Sequence, residues 1–243
     1  MPRRTILLVE DNPDDVFLME RALKDARIVN PVVVGRLLGA EAVGVVALTH
    51  QLVRNLGFVM TATWRLSTAA LARVQADARR LRLAIAEGMQ LQTLAVGPPL
   101  VAFAVLAPLV VPPLLGEEWG GVAVLFPYLA LGFLTNAVFS LHSSALYVRE
   151  HNWDVGVFHL VHVGLLALGA ALLVGPLGLT GYGVAELATL PSYIVIHAAL
   201  RRRLGSPPYT GAARWWAAFG LALFVHELGW WVLAAPVLVA VLP

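Results

Sequence analysis

VGVFHLVHVGLLALGAALLVG, residues 155–175, runs for 21 residues without one Asp, Glu, Lys or Arg. A helix rising ~1.5 Å per residue crosses the ~30 Å hydrocarbon core of a bilayer in about that length. No soluble helix needs so long an apolar run, so this stretch sets the class of the fold. Working outward, comparable stretches occur at roughly 40–64, 88–115, 122–147, 181–200 and 215–235, about six spans in all. The last of them either ends near Ala235 or bends at Pro236. The expected fold is an all-α, multi-pass membrane helical bundle. Composition agrees, with 59% hydrophobic residues, 13% charged residues and a mean hydropathy of +0.77.

The charges are unevenly placed. Residues 1–34 carry 11 of the 32 Asp, Glu, Lys and Arg, leaving 21 for the other 209 positions. Two compositions are joined, and two segments follow: 1–34 and a polytopic membrane segment, 35–243. Within the first, TILLV at 5–9 reads as a strand, EDNPDD as an acidic turn, VFLMERALKDA at 16–26 as a helix, and NPVVV at 30–34 as a second strand. This is a short, incomplete β-α-β segment lacking the strands needed to bury a core. The five-residue apolar run before Glu10 is too short for a signal-peptide core.

Cysteine is absent, which removes disulfides, thiolate metal sites and cysteine nucleophiles. No Ser/His/Asp arrangement, paired carboxylate site or phosphate-cradling glycine loop emerges, so enzymatic catalysis is not expected. A net charge of +2 gives no reason to expect nucleic acid.

Orientation follows from arginines in the short connections, because basic residues are retained on the cytoplasmic side. The connections 65–87, 116–121, 148–154, 175–181 and 201–214 hold five, zero, one, zero and four arginines. That alternation fits a multi-pass chain and places 65–87 inside. Residues 1–34 then fall on the far side, so a helix preceding residue 40 is missing from the expected topology. The 65–87 connection also interleaves Leu66, Leu71, Leu81, Leu83 and Ile85 with its arginines. It reads equally as an amphipathic helix on an anionic leaflet or as a solvated positive-inside loop.

Two resemblances follow from these stretches. Residues 4–34, RTILLVEDNPDDVFLMERALKDARIVNPVVV, resemble the first β-α-β of a response-regulator receiver domain, with Glu10 and Asp11 matching its magnesium-binding acidic pair. The phosphoacceptor aspartate, the later Ser or Thr and the lysine of that family have no counterpart. The pair is therefore read as vestigial, and the segment as truncated. Residues ~35–200 resemble the carboxyl-terminal half of polysaccharide and lipid-linked-oligosaccharide flippases of the multidrug/oligosaccharidyl-lipid/polysaccharide exporter superfamily. The stretches that carry this are LGAEAVGVVALTHQLV at 38–53, LSTAALARVQADARRLRLAI at 66–85, PPLLGEEW at 112–119 and GPLGLTGYGVAELA at 175–188. The resemblance implies one six-helix lobe of a two-lobed transporter in a bacterial inner membrane. The implied partners are a lipid-linked oligosaccharide, membrane lipids, and either a second lobe or a homodimer.

Arg54 is the foremost candidate binding residue. With His50 four residues earlier and Asn55 beside it, it puts polarity along an apolar helix, and intramembrane ionisable groups face protein or a water-filled cavity. An arginine there can bind a lipid pyrophosphate through charge-assisted hydrogen bonds; the plainer reading is an arginine that snorkels or pairs across helices. Glu186, inside the fifth stretch, can serve a proton- or cation-coupled step or accept an interhelical hydrogen bond. His159 and His162 share a helix face, but spacing fixes no third ligand, so packing is expected and no metal. His142, His197 and the pair His226 and Glu227 read as isolated. Trp119, Trp153, Trp215, Trp216, Trp230 and Trp231 lie near span ends and read as interfacial anchors. No cofactor is expected. The function that follows is flipping a polyprenyl-pyrophosphate-linked oligosaccharide, partial or inactive in this chain alone. The alternatives are a multidrug or cation exporter of the same superfamily, a receiver-linked membrane signalling protein, or a non-functional fusion.

Overall fold

The computed structural model describes residues 34–58, 60 and 69–241. The β-α-β segment, with Glu10 and Asp11, lies outside them except for its last residue. Val34, expected to close a strand, is instead helical, as are the described residues up to 38, and is fully buried. Among the described residues there is no strand. The chain forms an all-α membrane bundle: α1 Ala40–Leu56, α2 Ala78–Leu115, α3 Gly121–Val148, α4 Asn152–Leu187, α5 Ser192–Leu204, α6 Thr210–Leu223, α7 Val225–Leu228 and α8 Ala234–Val241. Three helical stretches, Ala78–Leu115, Glu117–Val148 and Asn152–Leu204, are long and apolar enough to cross a membrane.

α3 is the hub. It packs against α1, α2, α4, α5 and α6 and buries residues all the way round, from Val122 and Phe126 to Ala145 and Leu146. A helix apolar on every face belongs at a bundle's centre. Its hydroxyls do not disturb this, because Thr135 and Ser144 donate back to the carbonyls of Leu131 and Ser140 at 2.8 and 3.3 Å.

α2 starts ten residues earlier than the stretch at 88–115. Asp77 caps it, accepting from the backbone N–H groups of Arg79 and Arg80 at 2.9 and 3.1 Å. Residues 78–87 therefore belong to a helix and not to a loop. Leu81 and Ile85, one turn apart, are buried in the cluster that holds Leu141, Ala145 and Leu146 of α3, so the apolar stripe faces the bundle interior while Arg79 and Arg80 stay exposed. The five prolines, 98, 99, 108, 112 and 113, all sit within continuous helix. Each removes one backbone donor, yet Leu100, Ala104, Ala107 and Val111 are buried along the same stretch, so packing holds the helix through them.

The 53-residue stretch Asn152–Leu204 would be ~80 Å long if straight, far beyond one crossing. It folds back at Gly178, whose φ of 60° and ψ of −136° lie outside the helical region. The limbs on either side run antiparallel. Gly181 lies against the Leu173 carbonyl, Gly169 against Ala185, and His162 Nδ1 lies 2.9 Å from Ser192 Oγ. This hairpin resolves the stretches at 155–175 and 181–200 as two limbs turned by one glycine.

The connections sort by charge. Arg149 Nη1 donates to Gln75 O at 2.8 Å, Arg82 Nη1 donates to Leu204 O at 2.8 Å, and Arg203 Nε meets Asp154 Oδ2 at 3.2 Å. The three arginine-bearing connections thus gather at one end of the bundle. At the other end Gly121 packs against Val45 and Leu179, and Gly44 against Trp119. The two connections without arginine meet there, together with the start of α1.

The last stretch differs from the span expected at 215–235. α6 begins at Thr210 and stops at Leu223, 14 residues or ~21 Å. The chain kinks at Phe224, and Gly229, at φ 98° and ψ 160°, turns it well before Ala235 or Pro236. α8 then packs back on α6. Alternation of apolar residues could not reveal this, because the turn is a backbone conformation open to glycine and not a change in hydropathy.

Candidate functional site

α1 has two faces. Ala42, Val45, Val46, Thr49 and Val53 recur at three- and four-residue spacing and are buried. Gln51, Arg54 and Asn55 point the opposite way and are exposed. Arg54 Nη2 donates to Gln51 Oε1 at 2.8 Å, and Gln51 Nε2 donates to Asn55 Oδ1 at 2.8 Å. The amide of Gln51 links the other two side chains into one polar strip. Arg54 lies 14 residues, ~21 Å, along the helix from Ala40. It falls in the last turn of the helix, and charged groups of a membrane bundle face water or protein.

His50 lies on the flank between these faces and turns the other way, toward α4. Its Nε2 is 3.1 Å from the Tyr182 hydroxyl, which donates to Glu186 Oε1 at 3.0 Å; His50 Nε2 is also 3.6 Å from that oxygen. Tyr182 and Glu186 are one turn apart on the limb after Gly178, about 6 and 12 Å beyond the bend. Thus the site splits the expected set. His50 and Glu186 are brought together through Tyr182, which sequence reasoning missed, while Arg54 and Asn55 join Gln51 on the exposed face. The spacing of Tyr182 and Glu186 was a visible signal, but nothing in one dimension pairs residues 132 positions apart.

A second polar cluster corrects the reading of His142 and His197 as isolated. The Tyr209 hydroxyl sits between them, against His142 Nε2 and 2.7 Å from His197 Nδ1. Phe139 stacks on Tyr193 beside it, centroids 5.1 Å apart. Burial raises the Tyr209 phenol above its ordinary 10.0. The cluster pins the 205–209 connection to α3 and α5. His226 also has a contact, 3.2 Å from the Val105 carbonyl. Among the described residues no group of three His, Asp or Glu is placed to hold a metal ion. Two tryptophans read as anchors face inward instead. Trp216 Nε1 donates to Thr135 Oγ1 at 2.9 Å, and Trp215 stacks on Phe219 with centroids 5.4 Å apart. Trp153, Trp230 and Trp231 are exposed.

A family model described as polysaccharide biosynthesis protein matches residues 24–125. The match covers α1, α2 and the start of α3, and begins inside the stretch 4–34 that resembles a receiver. No curated protein and no solved structure matches the chain.

Proposed function

We propose that this chain is one lobe of a transporter that moves a polyprenyl-pyrophosphate-linked oligosaccharide across a bacterial inner membrane, by rocking of helices and without covalent catalysis. The observation that carries the proposal is the exposed strip Arg54, Gln51 and Asn55 within a helix of a membrane bundle. A guanidinium held by its neighbour's amide presents its remaining donors to an anion, and a pyrophosphate fits them in charge-assisted, two-point fashion. The similarity to polysaccharide biosynthesis proteins over 24–125 supports this reading because it includes α1. The strip also calls for a facing wall, which a second lobe or a second copy would supply. The gathered arginines would lie on the cytoplasmic side.

Binding tests the proposal without requiring a complete transporter. The purified chain in nanodiscs is titrated with a fluorescent polyprenyl-pyrophosphate sugar, alongside R54Q. Saturable binding that R54Q weakens about tenfold or more is expected for a lost charge-assisted contact. Equal affinity of the two proteins would refute the assignment. So would binding confined to lipophilic cations, which would favour an exporter of cationic drugs.

A further inference from the structure

Thr49, Gln51, Arg54 and Asn55 all bond within α1, whereas His50 reaches another helix. Its partners form an unbroken line of titratable atoms: His50 Nε2, Tyr182 hydroxyl and Glu186 Oε1, with steps of 3.1 and 3.0 Å. The His50 side chain is 33% exposed and that of Glu186 12%, with the fully buried Tyr182 between them. The outer end meets the face that carries Arg54, and the inner end is a carboxyl group within the bundle.

We propose that His50, Tyr182 and Glu186 form a proton-uptake relay that neutralises Glu186 from the exposed face of α1. Starting from a neutral His50 with its proton on Nε2, the imidazole donates to Tyr182 and the phenol donates to a Glu186 carboxylate. A proton arriving from water adds to the lone pair of His50 Nδ1. The Nε2 proton then moves to the Tyr182 oxygen as the phenolic proton moves to Glu186 Oε1. One proton is bound in total. Tyr182 regains the proton it passed on, His50 is neutral again with its proton on Nδ1, and Glu186 is a carboxylic acid. The same two contacts now run in the opposite sense, from Glu186 through Tyr182 to His50, so only protons move and no heavy atom has to.

The surroundings favour this chemistry. A carboxylate in a membrane bundle with a single neutral donor is costly, and accepting a proton removes that cost. The imidazole passes on its Nε2 proton as it gains one at Nδ1, so it holds no lasting positive charge beside Arg54, one turn along α1. Tyr182 donates to Glu186, and Tyr193 lies within electrostatic reach of it. α3 has no acidic or basic residue between Gly121 and Leu141; its Tyr128 packs against Gly183. Glu186 therefore has no competing charge from that side.

The relay deepens the transport reading, for which it supplies a coupling proton, but its test does not depend on transport. The full chain in nanodiscs is followed by infrared difference spectroscopy after a pH jump. The carbonyl stretch of a protonated carboxylic acid should grow on acidification and shift when the protein carries carboxyl-13C glutamate. It should vanish in E186Q and move in E186D. In Y182F and H50Q the same band should appear about tenfold more slowly or worse, since a phenyl ring or an amide cannot pass the proton. If E186Q does not fold, the shift of the band in E186D still assigns it to this position. No 13C-sensitive acid band, a band retained in E186Q, or unchanged kinetics in both Y182F and H50Q would each overturn the relay. If the relay holds while sugar-lipid binding fails, the substrate assignment alone falls.

Discussion

Replacing Gly181 by Ala tests the hairpin that brings Glu186 to His50. A Cβ at this position would overlap the carbonyl oxygen of Leu173 and stand 3.0 Å from Leu177 Cβ. A backbone oxygen cannot rotate away as a side chain could, and carbon–oxygen contacts settle near ~3.3 Å, so the limbs must part by about 1 Å. Overpacking a tight interior contact costs about 1–3 kcal/mol, and a backbone contact belongs at the upper end. Gly164→Ala makes the same chemical change on the same helix, where nothing lies within 4 Å of the added carbon. There the lost flexibility of glycine favours the variant by about 0.5–1 kcal/mol. The two variants should therefore differ by about 3.5 kcal/mol, more than a hundredfold in the unfolding equilibrium. Reversible unfolding in mixed micelles, followed by helicity, measures the difference. Stabilities within about 1 kcal/mol of each other would refute the close packing of the limbs.

Asp77→Ala should fray the first turn of α2, read as faster hydrogen exchange at the amides of Arg79 and Arg80. Those N–H groups, that of Arg80 first, hold the Asp77 carboxylate below its ordinary 3.8. Its contribution is thus complete above that value and is lost as the pH falls through the lower folded value, so acid should mimic the substitution in the unmodified chain. Gly229→Ala places a side chain at φ 98° and ψ 160°, a region almost reserved for glycine. Thermal unfolding should report a loss of about 1–3 kcal/mol. Because the chain has no cysteine, single replacements map its sidedness directly. Q75C and E118C should label from opposite sides of the membrane, and labelling of both from one side would contradict the sorting of the connections.

Helix existence was legible where hydropathy is extreme. Residues 155–175 and 122–147 become the first limb of α4 and α3, because long apolar runs have few ways to satisfy their backbones in lipid. Less was legible where local conformation intervenes. Asp77 begins α2 inside what read as a connection, since a cap outweighs the neighbouring arginines. Gly229 ends the last helical run early, since a turn requires one permissive residue and no drop in hydropathy. Of the candidate site residues, His50, Arg54, Asn55 and Glu186 were visible as polar groups in apolar stretches. Their grouping was not. Helical spacing puts His50 and Arg54 on neighbouring parts of one surface, and only the position of α4 decides that one turns inward and the other outward. Tyr182 and Tyr209 passed unnoticed because a tyrosine in an apolar run is ordinary until its hydroxyl has a partner.

By itself, then, the sequence determined that this chain is an apolar helical protein of membrane-crossing length, and that its arginines alternate between connections. Both properties are sums over neighbouring residues, and they hold whatever the helices pack against. The tertiary structure decided which polar residues meet. The fold at Gly178 returns one limb of α4 against the other and carries Glu186 to within 3.6 Å of His50 on α1. Such a contact depends on the register between separate helices. That register is set by small residues such as Gly169, Gly181 and Gly183 at the points of closest approach, and helical periodicity carries no record of it.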